Sequence, residues 1–535
     1  MGERLRDCLG IVLIEAALLL ALRPLQDTPF VDDWAYAWSV ERLLTHGDLK
    51  VLDWSSNPNV VQVLWGALFC LPFGFSFTAL RASTWVLALS CLCGLYVLLR
   101  DFAVSRRAAC LGTAVLGVNP IFFVLSYTFM TDVPFLAVMT WCCVAMVRAL
   151  QNRDTRWLVA AAALASLASG IRTVGVVIPV AMALTLFWHS AGWGRKAHRL
   201  ALACVPLLFA ALFAWWSTAQ AQHLIDLSVL PDAPVNRIRS LRYAIALLPR
   251  MLLFNVSFVA EVVGLALGPV SFAAARWSRL RAAAVICAVL GMLEIGGALV
   301  TRPYAPLLSN GATWALTEVG ATEPFIPNFQ PPGLPGWWRW TAPILTSASF
   351  AVLLAVLLLR RHSPHEAFLL WLASGHFVLM ALLWLFYDRY ALVLFPSAIT
   401  LLLARSDRLR ASIALPAIAL FALVSCVGMH DHLQLNRALW QAVAEIRGRG
   451  VPDDQIDAGY VVNGWLHCAH PEHAPRDARG NPFVPGLTTS SGLLRYEASA
   501  RALPGWKTLD VVPYRRWLGP SGAIWILRRD DWGAR

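Results

Sequence analysis

Charge is what this sequence most lacks. Asp, Glu, Lys and Arg make up only 14% of its 535 residues, whereas 58% are hydrophobic. Soluble domains carry about 25% charged residues, and a soluble chain with so few would expose large apolar patches and aggregate. The deficit excludes a string of soluble domains and predicts an α-helical polytopic membrane protein.

Cysteine is scarce where a disulfide could form. Of the 11 cysteines, only Cys468 lies in the polar C-terminal tail, and the others lie in apolar runs. A single cysteine cannot form a disulfide within that tail, and the others are expected to act as small buried hydrophobes. The chain also lacks evident internal repeats and low-complexity segments.

The basic residues are confined to short clusters between the apolar runs. The net charge is +12, but no basic surface with interleaved aromatic residues is evident, and we expect no nucleic-acid partner. Every second connection is short and basic, which is the positive-inside pattern. The pattern predicts a multi-pass protein of the plasma (inner) membrane, with a cytoplasmic N-terminus and an extracytoplasmic C-terminal tail.

About thirteen apolar runs are candidates to cross a bilayer, for which about 20 apolar residues are needed. The first run is followed by Arg23 and Pro24 and not by a small-residue cleavage site, so we predict a retained helix. The predicted spans are residues 8–24, 78–99, 108–125, 133–150, 157–170, 174–190, 200–217, 246–270, 282–300, 342–360, 366–386, 389–404 and 411–429.

The long connections all fall on the predicted outer face, where loops can carry function. We predict two units, a transmembrane module at residues 1–429 and an extracytoplasmic soluble domain at residues 430–535. Within the module, the outer loop 25–77 is expected to form interfacial helices with an aromatic belt, the first of them ending at Gly47. The other long outer connections are residues 218–245 and 301–341.

The tail reads as a small α/β domain. It begins with an amphipathic helix, "LNRALWQAVAEIRGRG". Strand-like runs follow in "IDAGYVV", "KTLDVVPY" and "AIWILRR".

Three aspartates lie at predicted helix starts on the outer face. Asp32 and Asp33 follow the first span in "DTPFVDDWAYAW", and Asp132 begins the fourth in "SYTFMTDVPFLA". Helix capping would explain one aspartate at each place, but ionisable groups at such depth are functional candidates. We predict that the two sites converge at one cavity, where Asp33 and Asp132 are also candidate ligands for a divalent metal ion.

Cationic residues lie on the same predicted face. The positive-inside rule gives no reason for Arg172 in the outer hairpin "SGIRTVGVVIP". It could form a salt bridge with Asp132, or its guanidinium could clamp a phosphate. Arg389, in "YDRYALVLFP", could pair with Asp388 within its turn or bind the same phosphate. Further phosphate-contact candidates are Arg237, Arg239 and Arg242, although the pattern favours a membrane-surface face for these three.

Taken together, these motifs resemble the GT-C glycosyltransferases, and within them the protein O-mannosyltransferase and aminoarabinose transferase group. The segment Asp32–Tyr36 is similar to the acidic, tyrosine-containing start of that family's first outer loop. "TDVPF" resembles its second acidic motif, "GIRTVGVVIP" its basic motif, and "DRYALVLFP", with Tyr390, its Arg-Tyr…Pro motif. The resemblance covers roughly residues 8–404.

The resemblance implies transfer of a hexose or pentose from a polyprenyl-phosphate donor to a lipid, glycan or protein acceptor on the outer face. It implies that Asp32 is the catalytic base and Asp132 a second acidic site residue. The residue types fit, because a carboxylate can accept the acceptor's proton while cations hold the departing phosphate. Many relatives have a Lys-Pro pair late in the first loop where this chain has Asn57-Pro58, which leaves the donor or acceptor class open.

Other functions remain open from the sequence. A transporter or flippase of a lipid-linked sugar is the alternative, although it should show repeated halves and broken helices in matching positions. A non-catalytic scaffold that presents the outer domain is a third. The tail motif "HCAHPEH" contains zinc-ligand residue types, but its spacing matches no standard zinc site, which favours a polar turn; these residues are His467, Cys468, His470 and His473.

Overall fold

The computed structural model shows a mostly helical protein with a small β-sheet near the C-terminus. The described residues are 2–24, 26–52, 55, 58–189, 193–222, 255–256, 259–260, 262–264, 266–274, 347–355, 363–382, 387–405, 409–485, 492–517 and 520–530. Predicted span 9, most of the outer connections 218–245 and 301–341, and Arg237, Arg239 and Arg242 lie outside them.

The helices follow the predicted apolar runs closely along most of the described chain. The α-helices are α1 (Gly2–Leu22), α2 (Asp33–His46), α3 (Val60–Cys70), α4 (Phe77–Asp101), α5 (Arg106–Gly117), α6 (Pro120–Ser126), α7 (Asp132–Asn152), α8 (Thr155–Ser169), α9 (Val177–His189), α10 (Trp193–Gln220), α11 (Pro364–Ala381), α12 (Phe395–Ala404), α13 (Ala411–Gly448) and α14 (Tyr460–Asn463). Short 3-10 turns, Thr173–Val176 and Asp388–Leu394, lead into α9 and α12.

Several of these helices could cross a membrane. Among the described residues, four are long and apolar enough, namely α4, α7, Lys196–Gln220 within α10, and α13. The pair α5 and α6 would make a fifth if it counts as one broken span. A mostly helical fold with several apolar helices of membrane-spanning length is therefore confirmed, while the number of about thirteen spans remains a prediction.

The third predicted span is broken and not continuous. Helices α5 and α6 meet at an angle of 68°. The side chain of Asn119 accepts hydrogen bonds from the backbone N–H groups of Ile121 (3.0 Å) and Phe122 (3.3 Å), so it caps a new helix that begins at Pro120. Proline fits the first turn of a helix but cannot continue the previous one, and hydropathy alone does not register such a break.

The packing of the helices places the outer loop 25–77 against the helical core. Helix α7 packs between α4 and α8, and α11 packs against both α9 and α7. The outer loop lies against this core, because Tyr36 and Val40 of α2 belong to the same buried apolar cluster as Phe129. Gly47 ends α2, as predicted. Its φ of 72° is a left-handed conformation, which glycine adopts without strain.

The tail is joined to the membrane region by one long helix. The last predicted span and the predicted amphipathic helix of the tail form a single element, α13, of 38 residues. The sheet that follows has the strand order β3-β4-β6-β5, in which β3 runs parallel to β4 and the other pairs are antiparallel. These strands are Ile456–Asp457, Tyr496–Ser499, Trp506–Tyr514 and Gly522–Arg529, while Val51–Leu52 (β1) pairs with Ala221–Gln222 (β2).

One strand-like run of the tail folds differently from the prediction. In "IDAGYVV", only Ile456 and Asp457 form a strand. Gly459 then adopts a φ of 82°, and the chain turns into α14 and the helical segment Gly464–Cys468. The β-branched residues of this run favour a strand locally, but the left-handed glycine ends it.

Candidate active site

The carboxylate of Asp32 lies at the start of α2, free of the backbone. Asp32 occupies the N-cap position of that helix, but its side chain makes no capping hydrogen bond. One carboxylate oxygen instead accepts a hydrogen bond from the Tyr460 hydroxyl at 2.6 Å. The other lies 3.3 Å from the guanidinium of Arg389. Capping therefore does not explain this aspartate, whose carboxylate is held by side chains from two other segments.

Asp33 points in another direction and has a structural environment. Its fully buried carboxylate accepts hydrogen bonds from the backbone N–H groups of Phe30 (2.6 Å) and Phe129 (3.4 Å), and lies 3.6 Å from the guanidinium of Arg81. Burial raises the pKa of Asp33 to about 6, against the opposing effect of Arg81. The bond from Phe30 is local, whereas the bond from Phe129 connects the start of α2 to the loop before α7.

Asp132 and Arg172 are paired. Asp132 is the first residue of α7, and Arg172 lies at the turn between α8 and α9. The guanidinium of Arg172 donates to the Asp132 carboxylate and, at 3.3 Å, to the Thr131 hydroxyl. Within the described residues, the second carboxylate oxygen of Asp132 and Nε of Arg172 are buried without a hydrogen-bond partner. Since leaving such groups unsatisfied is costly, these two atoms are available to a polar ligand.

Tyrosine rings connect the two ion pairs into one cluster. The Arg172 guanidinium carbon lies 5.3 Å from the centre of the Tyr390 ring, and that of Arg389 lies 5.8 Å from the same ring. Arg389 also lies 4.7 Å from the ring of Tyr387. Both guanidinium groups therefore lie within cation–π distance of the Tyr390 ring.

Tyr36 is the remaining candidate that belongs to this cluster. Burial raises its pKa to about 12, and the two arginines and their two aspartate partners all act on it electrostatically. The structure thus brings together six of the predicted site residues, which are Asp32, Tyr36, Asp132, Arg172, Arg389 and Tyr390. Asp33 lies beside the cluster but bonds away from it.

Some members of the cluster were missed from the sequence. Tyr387 precedes Asp388 and Arg389 directly, so the motif "YDRY" already contained that signal. Tyr460 carried no such signal, because it lies within a run that resembles a strand of the tail. Arg81, the partner of Asp33, lies outside the cluster in the first turns of α4, and its place within a predicted span gave no sign of this role.

The metal-binding hypotheses gain no geometric support from the described part of the chain. It contains no group of three or more His, Cys, Asp or Glu side chains that could hold a metal ion. In the tail motif, His467 faces the backbone oxygen of Asp453 at 2.9 Å. His470 lies 3.5 Å from Glu41 of α2 and 3.6 Å from Glu472.

Comparison with known proteins gives one family match. The family model described as dolichyl-phosphate-mannose-protein mannosyltransferase matches residues 57–216. This segment contains Asp132 and Arg172 but neither Asp32 nor Arg389. No curated protein sequence matches the chain.

Two solved structures are similar to the chain at low sequence identity. ArnT from Cupriavidus metallidurans, solved bound to undecaprenyl phosphate, is 15% identical with a TM-score of 0.42, over 96% of this chain and 98% of that protein. The oligosaccharyltransferase from Archaeoglobus fulgidus, in the apo form, is 14% identical with a TM-score of 0.43, over 83% of this chain and 58% of that protein. The family match confirms the predicted resemblance to protein mannosyltransferases over residues 57–216.

Proposed function

We propose that the protein is a glycosyltransferase that moves a sugar from a polyprenyl-phosphate donor to an acceptor. One observation carries the proposal. The Asp32 carboxylate lies beside Arg389, and Arg389 shares the Tyr390 ring with Arg172, so a proton acceptor and two guanidinium groups stand within one cluster. The family description supports the donor class, because it names a sugar linked to a polyprenyl phosphate.

The chemistry needs one carboxylate and a cationic surface. The acceptor oxygen or nitrogen forms a bond to the anomeric carbon while the bond from that carbon to the phosphate oxygen breaks. The proton of the acceptor passes to Asp32, and the sugar leaves behind a polyprenyl phosphate. A phosphate is a good leaving group, so no carboxylic acid must protonate it. A glycosidase, by contrast, uses two carboxyl groups.

The arginines suit the phosphate side of this reaction. Guanidinium groups can bind a phosphate through two parallel hydrogen bonds, and they stabilise the charge that grows on it as the bond breaks. Arg172 and Arg389 each already pair with a carboxylate. In the proposal, the donor phosphate takes up the remaining donor groups of the two guanidiniums without breaking either ion pair.

The cellular setting belongs to the same proposal. The reaction takes place on the outer face of the plasma (inner) membrane, with the tail extracytoplasmic. The sugar is a hexose or a pentose, and the acceptor is a lipid, a glycan or a protein. Of the metal ligands considered from the sequence, Asp33 lies 3.6 Å from Arg81 and Asp132 pairs with Arg172, and the proposal assigns a metal to neither.

The test is transfer by the purified protein from a panel of radiolabelled polyprenyl-phosphate sugars. Asp32→Asn should lower the rate about 10²- to 10⁴-fold, because a general base contributes that much, while donor binding is kept. Asp48→Asn is the matched control, since Asp48 lies on the same outer loop and its side chain is 38% exposed. Full activity in Asp32→Asn would remove it as the base.

Two further outcomes would decide against the proposal. Failure of every donor in the panel would reject the proposed reaction. Movement of the intact donor from one leaflet of the vesicle membrane to the other, without release of polyprenyl phosphate, would instead identify a flippase.

A further inference from the structure

We propose that Tyr460 is a positioning residue for Asp32, supplied by the C-terminal tail, so that docking of the tail completes the site. This inference rests on the proposed function, in which Asp32 is the base. The Tyr460 hydroxyl donates to one carboxylate oxygen at 2.6 Å, while Arg389 lies 3.3 Å from the other. A distance of 2.6 Å is typical of the strong hydrogen bond between a hydroxyl and an ionised carboxylate.

The two contacts hold a side chain that would otherwise rotate. Asp32 makes no capping bond to its own helix, so its χ angles are fixed by Tyr460 and Arg389 from opposite oxygens. A carboxylate has about four lone-pair sites, and these two contacts leave others open for the proton of the acceptor. A base held in one orientation reacts faster than one that samples several.

The Tyr460 hydroxyl keeps its proton and so remains a hydrogen-bond donor to Asp32. Burial and the neighbouring Asp32 carboxylate hold its pKa well above the ordinary value of a tyrosine. The phenol is therefore neutral at physiological pH and offers its proton to the aspartate without competing as a base.

A buried hydrogen-bond network holds the loop of the tail that carries Tyr460. Three residues before Tyr460, the fully buried Asp457 accepts hydrogen bonds from the N–H groups of Gly459 (3.2 Å) and Gly492 (2.8 Å) and from the side chain of Asn463 (2.8 Å). Asn463 in turn accepts from the N–H of Ala458 at 3.1 Å. A buried polar network with its partners in place fixes a single conformation, so this network holds the loop that carries Tyr460 in place against α2.

The same segment docks closely on α2. Trp34, which follows the two aspartates, is fully buried, and its ring meets that of Tyr460 edge-on at 6.4 Å. A Cβ atom added at Gly464 would lie 2.4 Å from the Trp34 ring, so only glycine allows this approach. Trp465 lies beside the rings of Phe75 (5.9 Å) and Phe77 (5.0 Å). These aromatic contacts determine where the Tyr460 hydroxyl lies relative to Asp32.

Tyr460→Phe in the full chain tests the inference, because it removes the hydroxyl and keeps the ring. With an active donor from the panel, kcat should fall about 10- to 100-fold, because misplacing a catalytic group by about 1 Å can cost about 100-fold in rate. The acceptor KM, the affinity for polyprenyl phosphate and the melting temperature should stay at their wild-type values. Tyr496→Phe is the matched control on strand β4 of the same tail and should leave all four quantities unchanged.

Gly464→Ala provides an independent arm. Gly464 has a helical φ of −58°, so alanine costs nothing in the backbone, and its methyl group acts only by pushing the tail away from Trp34. We expect kcat to fall in this variant as in Tyr460→Phe.

Several results would overturn the inference. A rate in Tyr460→Phe equal to or above that of the wild type would show that the hydroxyl does not position the base. A fall in kcat that comes with a loss of melting temperature in Tyr460→Phe would assign the hydroxyl a merely structural role, and a loss of polyprenyl-phosphate affinity would assign it to donor binding instead. Failure of the wild type to transfer any sugar would reject the proposed function itself, and so the two failures are distinguishable.

Discussion

Adjacent residues can have unrelated roles, as Asp32 and Asp33 show. One carboxylate faces the tyrosine and arginine cluster, and the other is buried against Arg81 and two backbone N–H groups. Successive side chains on a helix diverge by about 100°, so neighbours in sequence face different surroundings. A motif of two aspartates is therefore not a pair of equivalent ligands.

We predict that Asp33→Ala destabilises the protein by about 3 to 5 kcal/mol, because it leaves the buried Arg81 guanidinium without its carboxylate. Thermal unfolding in detergent measures the effect. Asp48→Ala is the control, since the Asp48–Arg42 pair on the same loop is partly exposed and such pairs contribute about 0 to 1 kcal/mol. Equal stability of the two variants would contradict the structural role of Asp33.

Arg172 could act on the donor, on Asp132, or on both. We predict weaker donor use in Arg172→Lys, which keeps the charge but loses the planar fork, and near-complete loss in Arg172→Ala. Donor affinity and thermal stability should be measured side by side. If Arg172 only neutralises Asp132, Arg172→Ala loses about 3 to 5 kcal/mol of stability and its folded fraction binds donor normally.

The double variant Arg172→Ala/Asp132→Ala separates the two roles of Arg172. Removing both charges should restore much of the stability, because no buried carboxylate is left unpaired. Donor affinity should stay low if the guanidinium binds phosphate. Recovery of both quantities together would rule out the phosphate clamp.

At the scale of elements, the break between α5 and α6 depends on one side chain. Asn119 is fully buried, and its side-chain oxygen accepts hydrogen bonds from two N–H groups of α6 that water does not reach. The preceding helix α5 has a comparable cap, Ser105, but that residue is exposed.

We predict that Asn119→Ala lowers stability by about 1 to 2 kcal/mol, at the upper end of the range for helix caps. Ser105→Ala, the control at the other half of the same broken span, should cost less because water can bond the freed N–H group. Melting temperatures of the two variants test this difference. Equal losses would show that burial of the cap adds nothing.

At the scale of the whole molecule, α13 couples the tail to the outer loop. Its residue Asn436 donates to the side chain of Gln26 (3.2 Å) and to the backbone oxygen of Pro29 (3.3 Å), just before the two aspartates. Tail and outer loop also share an apolar cluster that contains Trp34, Trp38, Cys468 and Val484. The tail and Asp32 must therefore lie on the same side of the membrane.

We predict that this side is extracytoplasmic, from the alternation of basic connections. A reporter that is active only in the cytoplasm should be silent when fused after Arg535 and active when fused before Met1. The opposite pattern would invert the topology and would move the proposed site to the cytoplasmic face. Activity at both ends would show an even number of spans.

Hydropathy and local signals determined the class of the protein and the bounds of many helices. In a bilayer every backbone polar group must be satisfied within the segment, so long apolar runs can only be helices there. The ends of α2 and α7 and the bounds of strands β5 and β6 also follow from local residue preferences. Four motif residues, Asp32, Asp132, Arg172 and Arg389, could be named because their charges stand out in apolar surroundings.

Only the tertiary structure decided which of these charges meet. Sequence spacing did not show that Asp32 turns to Arg389 while Asp33 turns to Arg81, since both partners lie in other elements. The contact between Tyr460 and Asp32 joins residues 428 positions apart. Such a contact depends on how the tail docks on α2, and no local preference of either segment encodes that arrangement. The sequence by itself determined most of the helices and identified the charged residues, whereas the packing of distant segments decided which of those residues form the site.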